Sequence, residues 1–552
     1  MRSYPMLIDG QDDSGLGWTY VVRASALIAD PQRAFNLKRG LELGSIEMAP
    51  LDADHSDVIA RCAWGDATHN ERAIAAAARA SESFSRFSLS QLREIGAAFY
   101  RELLARTDEL VEILVHEGHP LKLARWEVSG VIRGLDEPTR EWYYKQFKES
   151  FTIDGRDLQL VRKPDGVVCV NPPQNAAASN SAMGCLALLA GNTLVVKVPR
   201  STPTGVMFVY REIFQPVLAR HGAPPGTLNL ISGDTQSTLK QWLRSPRVDD
   251  VLFFGSSTSG LRFGNDCYAA GKKPILELSG NDGFLVWRDA DLDRAAQTLT
   301  ECFYGSSQIC MVPKYAIVHP DIAEELIARF LTLVAAIQPG YPEDPNVVLS
   351  PVLKQDQFFD FLSEAREAGC QLLTGGQRVG VDGTPNPSGF FLQPTVIRVH
   401  GLDSARKLSC VREETFFPML PIIVPRQEGP ELLEQALSFM NANEYGLRNS
   451  LWSTSEHVIE AFISGLSNGG LLKINDSHIG FHSILATHGG TGRTGGPTGE
   501  LNYAILRTTH LQGISRAYAS RKHITGVGVG VHATDSQELP LLGAAEIPPV
   551  PA

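Results

Sequence analysis

The chain contains a cysteine and a glutamate in contexts that suit covalent and acid–base chemistry. Cys310 lies in a loop-like segment between apolar runs, where a thiolate could act as a nucleophile. A lone cysteine is more often a small buried hydrophobe, and Cys302, in a helical pattern, is expected to be of that kind. Glu277 ends an apolar run and is followed closely by Gly280. Burial would raise the pKa of this carboxyl group towards the range of a general base.

Other segments could bind a phosphate or a ribose. Gly255 to Gly260 follows a predicted strand and could begin a helix, whose free N–H groups bind anions. Lys197 ends a β-run and Arg200 follows three residues later. This pair could contact a nucleotide at the carboxyl edge of a parallel sheet, or could simply be a solvated strand end. Residues 490–495 match G-x-G-x-x-G, but without a strand before and a helix after, so a flexible glycine loop is favoured.

Composition and charge exclude several classes of protein. The formal net charge of −11 and the lack of Lys/Arg runs argue against nucleic acid as a partner. The eight cysteines are scattered without a C-x-x-C pair, which favours a reducing cytoplasm. The histidines lack the context of a metal site, so no metal is predicted. An uncharged stretch from 166 to 196 is broken by Asn and Pro and is not expected to span a membrane.

The order of the periodic segments predicts an α/β protein. Helices are expected at about 70–87, 90–117 and 122–147, followed by a hairpin of strands 150–153 and 158–162 around Asp154-Gly155. A βα rhythm then predicts a parallel sheet with strands at 166–170, 193–198, 227–231 and 250–254. A second series includes strands at 284–286, 315–318 and 371–373 and a helix at 322–336. Residues 1–55 are expected to be irregular, with a short hairpin around 7–10 and 18–22, and a β-like run at 524–531 interrupts the tail.

Taken together, these motifs resemble those of the aldehyde dehydrogenase superfamily, in order and in spacing, from about residue 70 to 510. The matches are Ala190–Lys197 to A-G-N-T-V-V-x-K, Gly255–Gly260 to G-S-T-x-x-G, Glu277–Gly280 to E-L-G-G, Gln308–Cys310 to the end of G-Q-x-C, and Glu413–Pro418 to E-E-x-F-G-P. Ser307 and Phe417 replace glycines of these motifs. Asn175 matches the asparagine of P-W-N, with Gln174 in place of the aromatic residue.

The resemblance implies a role for each matched residue. Cys310 would attack the aldehyde carbonyl, and the Asn175 amide and the Cys310 N–H would stabilise the oxyanion of the thiohemiacetal. Hydride would pass to the nicotinamide, and Glu277 would activate water to hydrolyse the resulting thioester. The residues expected to bind the cofactor are Lys197, Arg200, Gly233, Gly255, Ser256 and Gly260, with Glu414 on the nicotinamide ribose and Phe416 beside the ring.

Two departures from the family pattern bear on cofactor and product. Many NAD-preferring members have a glutamate where this chain has Arg200, and an arginine attracts a 2′-phosphate. We therefore predict NADP or NAD as cofactor, with NADP slightly favoured. Glu277 argues for hydrolysis to a free acid. The segment around Asn175 looks more like the branch containing phenylacetate-degradation aldehyde dehydrogenases and acylating enzymes, so a CoA-acylating enzyme is the alternative and a catalytically silent binding protein the remote one.

The implied architecture is a Rossmann-like cofactor domain, an α/β catalytic domain and a small β oligomerisation element. The expected boundaries are an N-terminal extension or insertion at 1–55, an NAD(P)-binding domain at 56–148 and 165–279, a catalytic domain at 280–480, an oligomerisation element at 149–164 and 488–512, and a tail at 513–552. We expect a cytoplasmic homodimer or homotetramer acting on a small-molecule aldehyde, with neither nucleic acid nor a membrane as partner.

Overall fold

The computed structural model describes residues 1–46, 57–153, 156–426, 429–485 and 488–517. Within these ranges the chain builds two seven-stranded sheets, two three-stranded sheets and two short two-stranded ribbons. Hydrophobic clusters fill the space between each large sheet and its helices. Cys302 is 2% exposed in the cluster of the second large sheet, which confirms its predicted place in the core.

The N-terminal residues are more regular than predicted. They form β1 (Arg2–Tyr4), β2 (Met6–Ile8), β3 (Gln11–Asp13), β4 (Gly17–Val22), α1 (Ala24–Ala29), α2 (Pro31–Glu42) and β5 (Val58–Trp64). The predicted hairpin between residues 7–10 and 18–22 is wrong. β2 pairs with β3 instead, and β4 pairs with β5 across the α1–α2 segment. Residues 6–13 also extend the first large sheet instead of forming a separate extension. Three-residue strands carry too little periodicity to be recognised in a sequence.

Five helices and a hairpin follow. They are α3 (Ala67–Phe84), α4 (Leu89–Ala105), α5 (Thr107–His116), α6 (Leu121–Gly134), α7 (Glu137–Lys145), β6 (Lys148–Ile153) and β7 (Arg156–Pro164). Two of the predicted helices are therefore each divided in two. The second break has a local cause, since Asp136 accepts a hydrogen bond from the Thr139 N–H and Pro138 occupies the first turn of α7.

The first large sheet carries the predicted βα rhythm. Its further elements are β8 (Val167–Asn171), α8 (Ala177–Leu189), β9 (Thr193–Lys197), α9 (Pro203–Met207), α10 (Gln215–Arg220), β10 (Leu228–Ile231), α11 (Thr235–Arg244), β11 (Asp250–Phe254), α12 (Ser257–Ala269) and β12 (Lys273–Glu277). The strand order is β12-β11-β8-β9-β10-β2-β3, parallel from β12 to β10 and antiparallel beyond. Crossover helices cover a parallel sheet on both faces, so its strands are buried throughout.

The second large sheet has the order β15-β18-β19-β14-β13-β21-β22 and is parallel except for β15. The remaining elements of the chain are β13 (Asp282–Val286), α13 (Leu292–Leu299), β14 (Pro313–Val318), α14 (Ala323–Ala335), α15 (Asp356–Glu367), β15 (Gln371–Thr374), β16 (Arg378–Val379), β17 (Phe391–Leu392), β18 (Thr395–His400), α16 (Leu402–Ala405), α17 (Ser409–Arg412), β19 (Met419–Val424), α18 (Leu432–Asn441), β20 (Tyr445–Gly446), β21 (Arg448–Trp452), α19 (Glu456–Gly465), β22 (Leu471–Ile474), β23 (Thr491–Gly492), α20 (Ala504–Arg507) and β24 (Thr509–Ala517).

A small antiparallel sheet joins β6, β7 and β24. The predicted hairpin strands pair in register, although the turn at 154–155 lies outside the described residues. β24 pairs with β7 along its whole length, so residues 513–517 belong to this sheet and not to a tail. The run at 524–531 lies outside the described residues. Residues 488–502 do not join the small sheet; β23 pairs with β20 instead.

The uncharged stretch from 166 to 196 folds as strand, helix and strand. It contains β8, the thirteen-residue α8 and β9, and most of these residues are buried in the protein interior. Across the described residues, every helix is too short or too polar to cross a membrane.

Candidate active site

The carboxyl ends of the parallel strands bring the predicted residues to one edge of the first sheet. Glu277 ends β12, Gly255 follows β11, Asn175 follows β8, Lys197 ends β9 and Gly233 follows β10. Ligands of open α/β sheets bind outside this edge. The motifs that are far apart in the sequence therefore meet because of the sheet topology.

Cys310 lies in a tight loop that leads into β14. Gly305, Ser306 and Ser307 have φ values of 60°, 56° and 61°, so three successive residues adopt the left-handed conformation. The Cys310 side chain is partly exposed and lines a cavity of about 970 Å³. Burial, together with the nearby carboxyl group of Glu414, raises the pKa of the thiol to about 12. The thiol consequently needs a base before it can act as a nucleophile.

Gly280 lets the Glu277 segment pass directly beneath the cysteine loop. A Cβ atom at this position would overlap the backbone carbonyl oxygen of Cys310. The Gly280 N–H donates to Glu414 Oε1 at 2.9 Å. Three of the recognised motifs thus contact one another around a single glycine.

Glu277 is buried, and one of its two carboxylate oxygens accepts a hydrogen bond from the main chain. The residue is 6% exposed, and its Oε2 accepts a hydrogen bond from the Gly489 N–H at 2.8 Å. Its Oε1 is buried without a well-formed hydrogen bond to a described residue. Burial raises the pKa of the carboxyl group to about 8. The Gly489 N–H and the neighbouring Asn502 side chain act in the opposite direction and lower this pKa. A carboxylate that is held through one oxygen and has a pKa of about 8 is suited to general-base catalysis.

Asn175 reaches the cysteine loop from the other side. Its side-chain nitrogen donates to the backbone carbonyl of Gln308 at 2.8 Å, two residues before Cys310. The preceding Gln174, which replaces the aromatic residue of the family pattern, accepts from the Ser201 N–H at 3.1 Å and from the Thr202 hydroxyl at 2.8 Å. Gln174 therefore ties the Asn175 loop to the segment after Lys197.

The ammonium group of Lys197 lies nearly buried at the strand edge. The residue is 3% exposed, and among the described residues its side chain has no hydrogen-bond partner. Burial lowers the pKa of Lys197 to about 8, while Asp234 acts in the opposite direction. Arg200 is exposed, and its guanidinium carbon lies 5.6 Å from the centre of the Trp64 ring. The two cations expected to contact a nucleotide are thus both at this edge, one buried and one accessible.

The glycine segment after β11 begins α12. Ser256 is the N-cap residue, and its hydroxyl accepts from the Ser259 N–H at 3.4 Å. The main chain at Gly233 lies close to the main chain at Gly65. A Cβ atom at Gly233 would lie 3.0 Å from the Gly65 carbonyl oxygen. A Cβ at Gly260 would overlap the end of the Leu278 side chain, so the glycine lets α12 pack closely against the segment after β12. The role of Gly260 in cofactor binding stays a prediction.

The segment from Glu414 to Phe417 lines the other side of the cysteine. Burial raises the pKa of Glu414, and Lys314 acts in the opposite direction. Phe416 lines the cavity. Phe417, which replaces the family's glycine, is 1% exposed and packs edge-on against Phe358 and Phe361, with ring centres 5.5 and 5.7 Å away. The larger side chain is accommodated because it fills the core next to α15.

Sequence reasoning missed a buried charged network below the cysteine. The Lys314 ammonium donates to the carbonyl oxygens of Ser307 and Thr415, both at 2.7 Å, and so connects the cysteine loop to the Glu414 segment. Asp282 lies 3.2 Å from the His478 ring, and burial raises the pKa of the aspartate. A lysine inside the apolar strand β14, four residues after Cys310, was the signal that could have indicated this role.

The glycine loop at 490–495 has a structural role beside Glu277. Its first residues form β23, and the preceding Gly489 holds Glu277. Among the described residues around it, the strand–glycine–helix context of a dinucleotide fingerprint is missing. This loop therefore supports Glu277 from outside the first sheet.

Comparison with known proteins agrees with the geometry. The aldehyde dehydrogenase family model matches residues 45–514. A D-glyceraldehyde dehydrogenase (NADP(+)) of Thermoplasma acidophilum is 28% identical over 382 residues, which cover 66% of this chain and 74% of the relative. A 3,6-anhydro-alpha-L-galactose dehydrogenase of Vibrio sp. is 27% identical over 479 residues, covering 84% and 94%. The crystal structure of an NAD-dependent aldehyde dehydrogenase from Sinorhizobium meliloti superimposes with a TM-score of 0.78 at 22% identity, covering 95% of this chain and 96% of that one.

The chain belongs to the aldehyde dehydrogenase family. Both the predicted family and the predicted α/β fold are confirmed.

Proposed function

We propose that the protein oxidises an aldehyde to the free carboxylic acid with NADP or NAD, through an acyl thioester on Cys310. The observation that carries this proposal is the hydrogen bond from the Asn175 amide to the Gln308 carbonyl, at 2.8 Å. It keeps a side-chain N–H donor beside the cysteine loop, where the oxyanion of an attacked carbonyl would form. The buried Glu277, with one oxygen held by Gly489, supplies the base.

The reaction divides between these side chains. The partly exposed Cys310 thiol loses its proton to a base from solvent, and the thiolate attacks the carbonyl carbon. The oxyanion then accepts hydrogen bonds from the Asn175 amide and the Cys310 N–H. When bound, the nicotinamide supplies the hydride acceptor of the oxidation. Glu277 then takes a proton from a water molecule, which attacks the thioester carbon and releases the acid and the thiolate. The Gly489 N–H holds Oε2 of Glu277, so Oε1 is the oxygen left to take the proton.

The residues at the sheet edge fit a dinucleotide. Lys197 presents a nearly buried ammonium at this edge, which suits ribose hydroxyls. The first N–H groups of α12, after Gly255 and Ser256, can bind an anion. The exposed Arg200 favours a 2′-phosphate, and therefore NADP. The name of the relative from Thermoplasma acidophilum specifies NADP(+), which supports the same cofactor.

Acyl transfer to CoA is the second candidate. It is favoured by the Pro-Pro-Gln-Asn segment that ends at Asn175 and resembles that of acylating members. Water and CoA would attack the same thioester on Cys310. Because Glu277 activates the water molecule, it is the residue that distinguishes hydrolysis from transfer to CoA.

The test compares the intact protein with Cys310→Ser and Glu277→Gln. Reduced cofactor is measured with a panel of aldehydes, with NADP or NAD, and with or without CoA. We expect CoA-independent turnover by the natural chain and none by Cys310→Ser. Glu277→Gln should give about one equivalent of reduced cofactor and an acyl adduct on Cys310 that intact-mass measurement detects. A strict CoA requirement would establish the second candidate, and full activity of Cys310→Ser would overturn both.

A further inference from the structure

The α1–α2 segment lines the same cavity as the catalytic cysteine. Leu27 and Ile28 of α1 and Phe35 and Lys38 of α2 all contribute to the lining, together with Cys310. These helices lie before residue 45, where the match to the family model begins. They are inserted between the paired strands β4 and β5, which run on without them. The cavity wall that they form therefore lies outside the part of the chain that the family model matches.

The inserted helices are firmly attached at both ends. The Arg23 N–H donates to the Asp57 carbonyl at 2.7 Å where the segment leaves β4. Asp30 caps α2 by accepting from the Arg33 N–H at 3.0 Å, and Glu42 at the end of α2 accepts from the Thr19 hydroxyl at 2.7 Å. Such anchoring makes the segment a defined wall, because several hydrogen bonds must break before it can move.

The first inserted helix reaches the catalytic domain. Ala24 lies against the turn between α5 and α6, where a Cβ at Gly118 would come within 3.3 Å of it. Ile28 packs against the hydrophobic cluster of the second large sheet. α1 thus bridges the two sides of the cavity.

The facing wall is apolar and aromatic. Leu123, Trp126 and Val131 lie on one face of α6 towards the cavity. The Trp126 ring stacks on Phe481, with 4.9 Å between ring centres and 18° between ring planes. A cavity of about 970 Å³ lies at the upper end of the range for ligand pockets. An aldehyde of two or three carbons would leave most of this space unfilled.

The buried acidic groups of the cavity are already engaged. Glu117 accepts from the backbone N–H groups of Thr204 and Gly205, at 2.7 and 3.1 Å. Glu127 forms an ion pair with His119 at 2.9 Å. Of the described inserted residues that line the cavity, Lys38 is the charged one, and burial lowers its pKa. Arg133 and Lys354 also line the cavity, but both are exposed, and the lining as a whole is predominantly apolar. The buried part of the cavity is therefore suited to an uncharged apolar group.

We propose that α1 and α2 form a specificity wall that selects an aldehyde with a bulky, uncharged apolar body, such as an aromatic ring system. This inference rests on the proposed aldehyde oxidation and names the substrate class of that same site. The wall would act through Leu27 and Phe35, which face the body of the substrate while Cys310 reaches its carbonyl carbon. Phe35 is 59% exposed, so covering it on binding would contribute apolar contact.

The experiment measures kcat/KM for naphthaldehyde, hexanal, acetaldehyde and succinic semialdehyde with the full chain. We expect naphthaldehyde to exceed acetaldehyde by at least about tenfold. Phe35→Ser and Leu27→Ser should each lower that ratio by about tenfold, mainly through KM for naphthaldehyde. Leu43→Ser is the matched control, because Leu43 follows α2 directly and is 71% exposed but does not line the cavity. It should leave the ratio unchanged.

A preference for acetaldehyde would overturn the proposal. A preference for succinic semialdehyde that Lys38→Met abolishes would also overturn it, in favour of an anionic substrate held by Lys38. Equal effects of the Leu43 and Phe35 substitutions on all substrates would show that the wall has no selective role. Binding of naphthaldehyde to Cys310→Ser, followed by calorimetry with and without the Phe35 substitution, separates this proposal from the proposed reaction. If the natural chain turned over no aldehyde while Phe35→Ser still weakened the binding of naphthaldehyde to Cys310→Ser, only the proposed reaction would be contradicted.

Discussion

At the scale of single residues, Glu277 links the chemistry of the site to the stability of the fold. Burial raises the pKa of its carboxyl group to about 8 from an ordinary value of 4.5. Between these values the folded protein holds a proton that the unfolded chain has lost. The free energy of unfolding therefore falls as the pH rises through this window, and the loss is complete above pH 8. The ionised base that the reaction needs is thus obtained at the expense of stability.

Glu277→Gln should remove this pH dependence. Because the amide cannot ionise, we expect the variant to be more stable than the natural chain at pH 9 and to differ less at pH 5. Urea unfolding at the two pH values measures the difference. Glu413→Gln, which changes an exposed carboxylate close to the site, is the control and should not alter the slope. A variant that is less stable at pH 9 than the natural chain would contradict the raised pKa of the buried Glu277.

Arg200 is the residue that we expect to set cofactor preference. Its guanidinium is exposed beside Trp64, at the sheet edge where Lys197 ends β9. Arg200→Glu should lower kcat/KM for NADP by at least about tenfold and leave NAD equal or improved, because a carboxylate repels a 2′-phosphate and accepts from ribose hydroxyls. Steady-state kinetics with both cofactors test this. Arg86→Glu, which changes the charge at a distant exposed position, is the control and should not affect the ratio of kcat/KM between NADP and NAD. An equal fall of kcat/KM for both cofactors in Arg200→Glu would refute the assignment.

At the scale of elements, the site depends on how closely two segments approach each other. The Glu277 segment crosses below the cysteine loop at Gly280, where any side chain would overlap a backbone carbonyl. Gly280→Ala should therefore displace Cys310 and lower kcat strongly, with a stability loss of about 1–3 kcal/mol from overpacking. Gly17→Ala, in a strand where a Cβ meets nothing within 4 Å, is the matched control. Kinetics and thermal unfolding of the two variants decide whether the close approach is required.

The elements also show what could be predicted from the sequence. The parallel strands around Lys197 and Glu277 were predictable, because continuous apolar runs separated by helices have one common solution. The short strands before residue 14 were not predictable, because they depend on pairing with distant residues. The helix breaks at Arg106 and Asp136 were not predictable either, and the second depends on a single capping side chain. The motifs likewise identified Cys310, Glu277 and Asn175 as candidates. The network of Lys314 and Asp282 joins residues distant in the sequence and became visible only with the fold.

At the scale of the whole molecule, the small sheet of β6, β7 and β24 presents an apolar face to solvent. Register places Phe151, Ile153, Leu160 and Leu511 on the same face, because directly paired residues of antiparallel strands point the same way. These side chains are 45%, 53%, 39% and 56% exposed. Glu149 and Arg156 share this face, so the apolar side chains lie among charged ones. A group of exposed apolar side chains on a small sheet is typical of an interface between subunits. This supports the predicted homodimer or homotetramer.

Charge on this face should therefore separate the subunits. We expect the double substitution Phe151→Glu and Leu511→Glu to give a smaller species by light scattering than the natural chain, since burying two carboxylates in an apolar interface is costly. Ile463→Glu is the control, because Ile463 is also exposed, at 47%, but lies on α19, away from the small sheet. The active-site residues belong to other elements, so each separated subunit should still bind the cofactor. A natural chain that is monomeric at all concentrations, or a double variant that keeps its size, would show that this face does not hold subunits together.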